Sequence, residues 1–238
     1  MIVYGINPVR EALRRGRVSR LMVLQGHTLG GRVQAIVDAA RGAGVRVERV
    51  ERPALDRAAR HGVHQGVAAV IDEPETRSIA DLVNGAKGAP LLVVLDGIED
   101  PQNLGALLRV ADAAGVDGLV RQTRHAAPLG GATAKASAGA VAHVKIADVV
   151  NVARAIEELK GANVWTVGLD ADASQTYDSL DFRQPTAIVL GAEGTGLRRL
   201  VKESCDLLAA IPMRGKVGSL NVATAAAVVL FEAVRQRR

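Results

Sequence analysis

Leu91-Leu-Val-Val-Leu95 is an unbroken apolar run, entered through Ala89-Pro90 and left through Asp96-Gly97. A strand that carries no polar alternate is buried on both faces, the habit of a parallel sheet with helices above and below. Similar runs follow at Val116–Val120, Val164–Leu169, Ala187–Leu190 and Leu207–Ile211, with helical patterns between several of them. An Ala/Val-rich helix is expected over Asn221–Arg235. The series predicts an α/β domain with a mostly parallel sheet over residues 89–238.

Upstream lies a smaller α/β series. Asn7-Pro8 has the form of an N-cap followed by proline at the first helical position, with a helix to about Arg15. Strand-length runs at Arg20–Leu24, Val45–Val50 and Val67–Ile71 alternate with helical stretches at Val33–Arg41 and from Pro53 to about Arg60. Asp72-Glu-Pro-Glu-Thr-Arg-Ser78 is polar and has no apolar period, so it reads as a linker. The expected domains are 1–71, a linker and start of the second domain over 72–88, and 89–238.

The charge divides unevenly between them. Residues 1–70 hold 12 arginines, no lysine and five acidic residues, a net +7, whereas the whole chain of 238 residues carries only +5. An N-terminal unit whose basic charge is all arginine reads as a polyanion-binding module, because the planar guanidinium grips phosphate in bidentate fashion. A codon bias exchanging Lys for Arg stays open beside that reading, although six lysines follow residue 70. With aromatics at 2%, RNA binding here would rest on phosphates, shape and a pocket more than on an aromatic platform. A single cysteine, Cys205, excludes a disulfide framework. His27, His61, His64, His125 and His143 show no metal-ligand spacing, so no metal is expected. No apolar run approaches the roughly 20 residues of a membrane span, and no secretory signal opens the chain, so a cytoplasmic location is expected.

Three strand-loop-helix stations in the second domain can carry chemistry. In Leu95-Asp-Gly-Ile-Glu-Asp-Pro-Gln-Asn-Leu-Gly-Ala-Leu-Leu-Arg109, Asn103 stands where a helix would begin. Arg109 lies about two turns on, beside an apolar stripe where an arginine usually needs a partner. The second station is Ile188-Val-Leu-Gly-Ala-Glu-Gly-Thr-Gly-Leu197, a strand running into Gly191, Gly194 and Gly196 around Glu193. It has neither Walker nor dinucleotide spacing. A carboxylate there repels a pyrophosphate but suits a cationic ligand. In the third, Ile211-Pro-Met-Arg-Gly-Lys-Val-Gly-Ser-Leu-Asn-Val222, Ser219 and Asn221 flank the start of the last helix. Either could be an ordinary N-cap, and no nucleophile elbow surrounds Ser219.

In order and spacing the three stations resemble the signature motifs of the SpoU/TrmH class of SPOUT methyltransferases. Val3-Tyr-Gly-Ile-Asn-Pro-Val-Arg-Glu-Ala-Leu13, His64-Gln-Gly-Val-Ala68 and Leu230-Phe-Glu-Ala-Val-Arg-Gln-Arg-Arg238 extend the resemblance over essentially the whole chain, toward the RlmB-type subgroup. The resemblance implies a C-terminal SPOUT domain with a deep trefoil knot, an exception to the rule against threaded chains, and a small ribosomal-protein-like N-terminal domain that binds the RNA substrate. It implies S-adenosylmethionine-dependent 2′-O-methylation of a guanosine ribose in the peptidyl-transferase loop of 23S rRNA, by a homodimer and without a role for DNA. It assigns catalysis to Asn103, Arg109, Glu193, Ser219 and Asn221. The cofactor would be held by Leu190, Gly191, Glu193, Gly194, Gly196, Ile211, Met213, Ser219 and Leu220. Ala223 replaces a serine common in relatives, and Pro128-Leu-Gly-Gly-Ala-Thr133 carries Gly130 and Gly131 where relatives often have bulkier residues. Three alternatives are a tRNA ribose methyltransferase, a non-catalytic RNA-binding or ribosome-assembly factor on the same fold, and a nucleotide oxidoreductase using Gly191–Gly196.

The family's proposed base is the arginine matching Arg109. Freeing a guanidine with a reference pKa near 13 at neutral pH costs about 8 kcal/mol, so a charged arginine gripping phosphate or a developing alkoxide stands as a rival role.

Overall fold

The computed structural model describes residues 1–26, 30–72 and 77–238. His27 and part of the expected linker, Glu73–Thr76, lie outside the described residues. The first elements are β1 (Ile2–Tyr4), α1 (Ile6–Arg14), β2 (Val18–Leu24), α2 (Gly31–Gly42), β3 (Arg46–Val50), α3 (Arg52–Ala58) and β4 (Val67–Ile71). Then come α4 (Ile79–Asn84), β5 (Leu91–Asp96), α5 (Pro101–Ala114), β6 (Gly118–Gln122), α6 (Ala132–Ala136), β7 (Ile146–Val149) and α7 (Val152–Gly161). The chain continues through β8 (Trp165–Leu169), β9 (Gln175–Thr176), β10 (Thr186–Gly191), α8 (Arg199–Ser204), β11 (Leu207–Ala210) and α9 (Val222–Gln236). No helix among the described residues is long and apolar enough to cross a membrane.

Two compact units result, Met1–Pro74 with Pro128–His143, and Glu75–Ala127 with Val144–Arg238. The first is built on a four-stranded sheet of order β1-β4-β2-β3, in which β2 and β3 are parallel and β4 runs antiparallel to both its neighbours. Tyr4, Met22, Leu55, Ala59 and Ala68 pack together beneath α3. The edge strand β1 leaves no signal in the sequence because three residues are too few to show a period. The helix expected from Asn7-Pro8 begins earlier, at Ile6, with Gly5 as N-cap. Its first N–H is satisfied from afar, by Gln65 Oε1 accepting from Ile6 N at 3.0 Å.

Residues 128–143, placed by sequence within 89–238, group with this first unit. The Gly130-Gly131 pair has a physical reason there. A Cβ at Gly130 would come within 2.9 Å of Met1 Cγ, and Gly131 N donates to Ile2 O at 3.1 Å. A side chain at Gly130 would press on β1, whereas at Gly131 the constraint is its positive φ of 58°.

In the second unit seven strands run in the order β7-β6-β5-β10-β8-β11-β9, every neighbouring pair parallel. Leu92 and Val94 of β5, with Ala187 and Val189 of β10, join Leu82 of α4, Ile156 and Leu159 of α7 and Val201 of α8 in one core. The alternate residues, Val93, Leu95, Ile188 and Leu190, are also buried, and α5 and α9 pack against each other with α9 on β10. Thus β5 is covered from both sides, as its apolar run requires. β6 begins two residues later than expected because α5 ends on left-handed Gly115, φ 68°, and Val116 N still donates to Ala111 O at 3.0 Å. Short β7 and β9 were not anticipated.

β5 and β10 are in register from Leu91 opposite Thr186 to Asp96 opposite Gly191. Their C-terminal ends therefore open side by side, and the chain leaves them in opposite directions: β5 leads to β6 on one flank, β10 to β11 on the other. Such a divergence leaves a crevice at the strand ends, where open α/β sheets bind ligands. At the other end of the same strands, Arg237 donates to the carbonyls of Ala89, Pro90, Phe182 and Gln184.

Candidate active site

The first station is set by a cap. Asp100 accepts from Asn103 N at 2.9 Å and Pro101 occupies the first turn, so α5 starts two residues before Asn103. Asn103 is therefore not the cap that the sequence allowed. Its amide is free to reach outward, Nδ2 donating to Glu193 Oε2 at 2.8 Å while Oδ1 accepts from Asn221 Nδ2 at 2.8 Å. Asn221 is itself the N-cap of α9, its Oδ1 accepting from Ala223 N at 3.0 Å and from Thr224 N. One hydrogen-bonded chain thus links all three stations, across 90 residues on one side and 118 on the other.

Arg109 stands outside this chain. Six residues along a helix place it about 9 Å further along the axis and about 120° around from Asn103. The sequence suggested a partner for it; instead its side chain is exposed and makes no hydrogen bond or ion pair with a described residue. Ser219 is also exposed and unbonded, on the wall of the cavity described next.

The loop after β10 folds back on itself, with Ala192 N donating to Gly196 O and Gly196 N to Ala192 O at 3.1 and 2.9 Å. Gly194 and Gly196 take positive φ, 81° and 67°. Gly191 lies so close beneath that a Cβ would overlap the backbone of Gly196 and Leu197. Gly191 thus serves close approach of backbone to backbone, and Gly194 and Gly196 serve the left-handed turns of the loop. Leu190, Gly191, Glu193, Gly194 and Gly196 from this loop line a cavity of about 310 Å³, together with Ile211, Met213, Ser219 and Leu220 from the segment between β11 and α9. Its volume is at the small end for a cofactor site. The wall combines apolar Leu190 and Ile211, close glycine backbone, and the carboxylates Asp170, Asp172 and Glu193. That donor set fits a ligand with a flat apolar ring and a positive charge, and disfavours a pyrophosphate.

Several residues that shape the site were not singled out in the sequence. Asp96, buried to 1% exposure, accepts from Arg198 N at 2.9 Å and from its Nε at 2.7 Å, and Arg198 Nη2 reaches Gln122 Oε1 at 2.7 Å. This clamp ties the end of the glycine loop to β5 and β6. Asp170 on the cavity wall pairs with Lys202 Nζ at 2.7 Å. Burial pushes the Asp170 carboxyl up, but the hydrogen bonds from Lys202 and from Asp172 N outweigh it and hold it below the ordinary range. The visible signal was an aspartate where a strand gives out, Asp96 at the end of β5 and Asp170 just past β8. Cys205 is no nucleophile: burial first and then the nearby Asp206 push its thiol up to about 12, and its Sγ faces Val201 O at 3.3 Å.

Comparison with known proteins gives the family. Residues 90–231 match the SpoU rRNA Methylase family, and residues 2–77 match the family described as RNA 2′-O ribose methyltransferase substrate binding. The chain is 41% identical over 240 residues to the 23S rRNA (guanosine-2′-O-)-methyltransferase RlmB of Pseudomonas aeruginosa, covering 99% of this chain and 96% of that protein. It is 45% identical over 241 residues to the RlmB of Ralstonia nicotianae, with the same coverage. Among solved structures it resembles the SpoU methyltransferase AviRb of Streptomyces viridochromogenes in complex with AdoMet, at TM-score 0.82 and 25% identity over 100% of this chain and 90% of that one. An AdoMet-bound rRNA methyltransferase from Sinorhizobium meliloti gives TM-score 0.80 and 27% identity, over 98% of this chain and 86% of that one. With the family model spanning more than half its length and relatives above 40% identity along nearly all of it, the chain belongs to the SpoU rRNA methylase family.

Proposed function

We propose that this chain transfers a methyl group from S-adenosylmethionine to the ribose 2′-hydroxyl of a guanosine in 23S rRNA, acting as a cytoplasmic homodimer. The observation that carries the reading is the convergence of Glu193, Asn103 and Asn221 beside a glycine-walled, acidic cavity. The family's threaded C-terminal segment and the role of the first unit in docking RNA belong to the same proposal.

When bound, the cofactor supplies a methyl group already activated by a positively charged sulfur. The chain's own residues then have three tasks. The acidic wall of Asp170, Asp172 and Glu193 complements the cofactor's positive charge, and glycine backbone lets it lie close. Asn103 fixes the Glu193 carboxylate and, through Asn221, the start of α9, so the three loops hold one geometry before substrate arrives. Arg109, exposed and without a partner among the described residues, is available to the substrate phosphate or to the developing alkoxide, whose proton passes to solvent or, were the guanidine neutral, to Arg109 itself. Methyl transfer through a thiolate adduct on a base has no support here, since the sole cysteine stays protonated at neutral pH.

The test is transfer of labelled methyl to unmodified 23S rRNA, with the modified atom mapped. Ribose 2′-O label that vanishes in Arg109→Ala upholds the reading. Label on a base, or on tRNA alone, overturns it.

A further inference from the structure

Between α3 and β4 the chain runs Ala59-Arg-His-Gly-Val-His-Gln-Gly66. Arg60, His61 and Gln65 have φ of 49°, 58° and 55°, in the left-handed region that residues with a Cβ rarely adopt. The strained backbone is pinned from beneath. His64 is buried, its ring bonded to Asp56 Oδ1 and to Gly66 N, each at 3.0 Å. Gln65 Oε1 accepts from Ile6 N at 3.0 Å, and Gly66 O accepts from Leu24 N at 3.1 Å. Gly62 lies on the Tyr4 ring so closely that any Cβ would overlap it.

What is pinned is not what is displayed. Arg60 and His61 are exposed and make no side-chain hydrogen bond or ion pair with a described residue, and Arg57, on the last turn of α3, is likewise exposed and unpaired. Val63 is 66% exposed. The chain therefore holds an unfavourable backbone at Arg60 and His61, and neither these two side chains nor the flanking Arg57 and Val63 have a polar partner among the described residues. Strain held in this way points to function. The groove between α1 and α2 is basic too, but there Arg10 and Arg14 are engaged by Asn7 and Glu11, and only Arg32 lacks a partner among the described residues.

One guanidinium, an imidazole and an isopropyl group on the pinned loop, with a second guanidinium on the last turn of α3, match one chemistry. Guanidinium forks take phosphates, the imidazole and guanidinium planes stack on a base, and Val63 gives an apolar face. A duplex hides its base faces, whereas an unpaired strand offers both base face and phosphate. We infer that residues 57–63 form a docking surface for an unpaired, single-stranded stretch of the substrate RNA. The inference rests on reading the chain as an RNA methyltransferase.

The test exploits the backbone. Glycine is at ease at positive φ, so Arg60→Gly and His61→Gly remove the side chains without adding strain. Binding of a fluorescent single-stranded 23S rRNA fragment to the full chain, read by anisotropy, should weaken about tenfold in the double variant. The slope of log Kd against log salt should shrink by about 0.7 for the lost arginine contact, with no fall in Tm. Val63→Ser should weaken binding without changing the slope, and a duplex of the same sequence should respond less. Wild-type Kd and slope in the double variant overturn the inference, as they would if the loop served a protein partner. Methyl transfer on the same preparations separates the two readings. RNA binding without transfer removes the methyltransferase reading alone, transfer with unchanged variant binding removes the docking surface alone, and absence of RNA binding removes both.

Discussion

Asn103 is a relay with a direction: its NH2 faces a carboxylate and its oxygen faces an amide donor. Two substitutions separate the bonds from the charge. Asn103→Ala removes both. A bond to a charged group is worth about 1.5–3 kcal/mol and a neutral one about 0.5–1.5. Because Glu193 is exposed, the low ends apply, and a loss near 2 kcal/mol in kcat/KM corresponds to about 30-fold. Asn103→Asp keeps the shape and still accepts from Asn221, but sets a second carboxylate against Glu193. Repulsion at about 4 Å runs from about 1 kcal/mol in water to about 4 near a protein surface. Added to the lost bond, even a discounted value brings the deficit to about 3 kcal/mol, or about 150-fold. The isosteric variant should therefore be the worse one. Paired carboxylates share a proton more readily than either holds one alone, so the deficit of Asn103→Asp should shrink as pH falls toward about 5, and that of Asn103→Ala should not. The assay is kcat/KM for methyl transfer to an rRNA fragment at saturating cofactor across that pH range, with Tm recorded for each variant. Asn103→Asp matching or exceeding Asn103→Ala, with no recovery at low pH, would refute the relay.

Arg109→Ala should abolish most methyl transfer, by at least about 100-fold, while Tm and cofactor affinity stay at wild type because the side chain has no hydrogen-bond or ion-pair partner among the described residues; calorimetry and cofactor titration check this. Gly191→Ala should cost several kcal/mol of stability and cofactor binding together, since its Cβ would meet backbone on the facing side of the loop; chemical denaturation and cofactor titration read both. The Asp170–Lys202 pair should stabilise the cavity wall over a wide plateau. Asp170 is held below its ordinary 3.8, so its contribution is present above that value and is lost as pH falls through the lowered pKa. Lys202 is raised above 10.5 by the hydrogen bond to Asp170, so its contribution is present below 10.5 and is lost as pH rises through the higher value. The Tm difference between wild type and Lys202→Met should thus be flat from about pH 5 to 10 and shrink at both ends; a difference that changes across neutral pH would contradict the pairing.

The strands that position the site were legible because burial on both faces leaves an unmistakable apolar run, as at Leu91–Leu95 and Ala187–Leu190. The ends of elements were less so, for reasons of capping. Asn7 and Asn103 both look like caps locally, yet Gly5 and Asp100 take those places, the first helped by Gln65 from 59 residues away. Such a partner exists only once the sheet has formed. The stations were visible as strand-loop-helix transitions, but the sequence could not say that Asn103 would face Glu193 on one side and Asn221 on the other. That Arg109 is exposed and has no partner among the described residues was not legible, because a place beside the apolar stripe says nothing of which way a long side chain turns. Arg198 and Lys202 were invisible for a related reason: each is defined by a carboxylate far along the chain, Asp96 at the end of β5 and Asp170 just past β8, and nothing local names that partner.

Helix α9 has a consequence beyond packing. It starts at Asn221, hydrogen-bonded into the candidate site, and finishes beside Arg237, whose guanidinium grips carbonyls at the entrances to β5 and β10. Its 15 residues span about 22 Å, so the helix is a tie rod strung between opposite rims of the sheet. Loosening the Arg237 end, by Arg237→Ala, would let the rod slide or tilt, and the slack would arrive at the Asn103 relay. A substitution that touches neither cofactor nor RNA would then act as a loss of alignment, lowering turnover before it lowers binding.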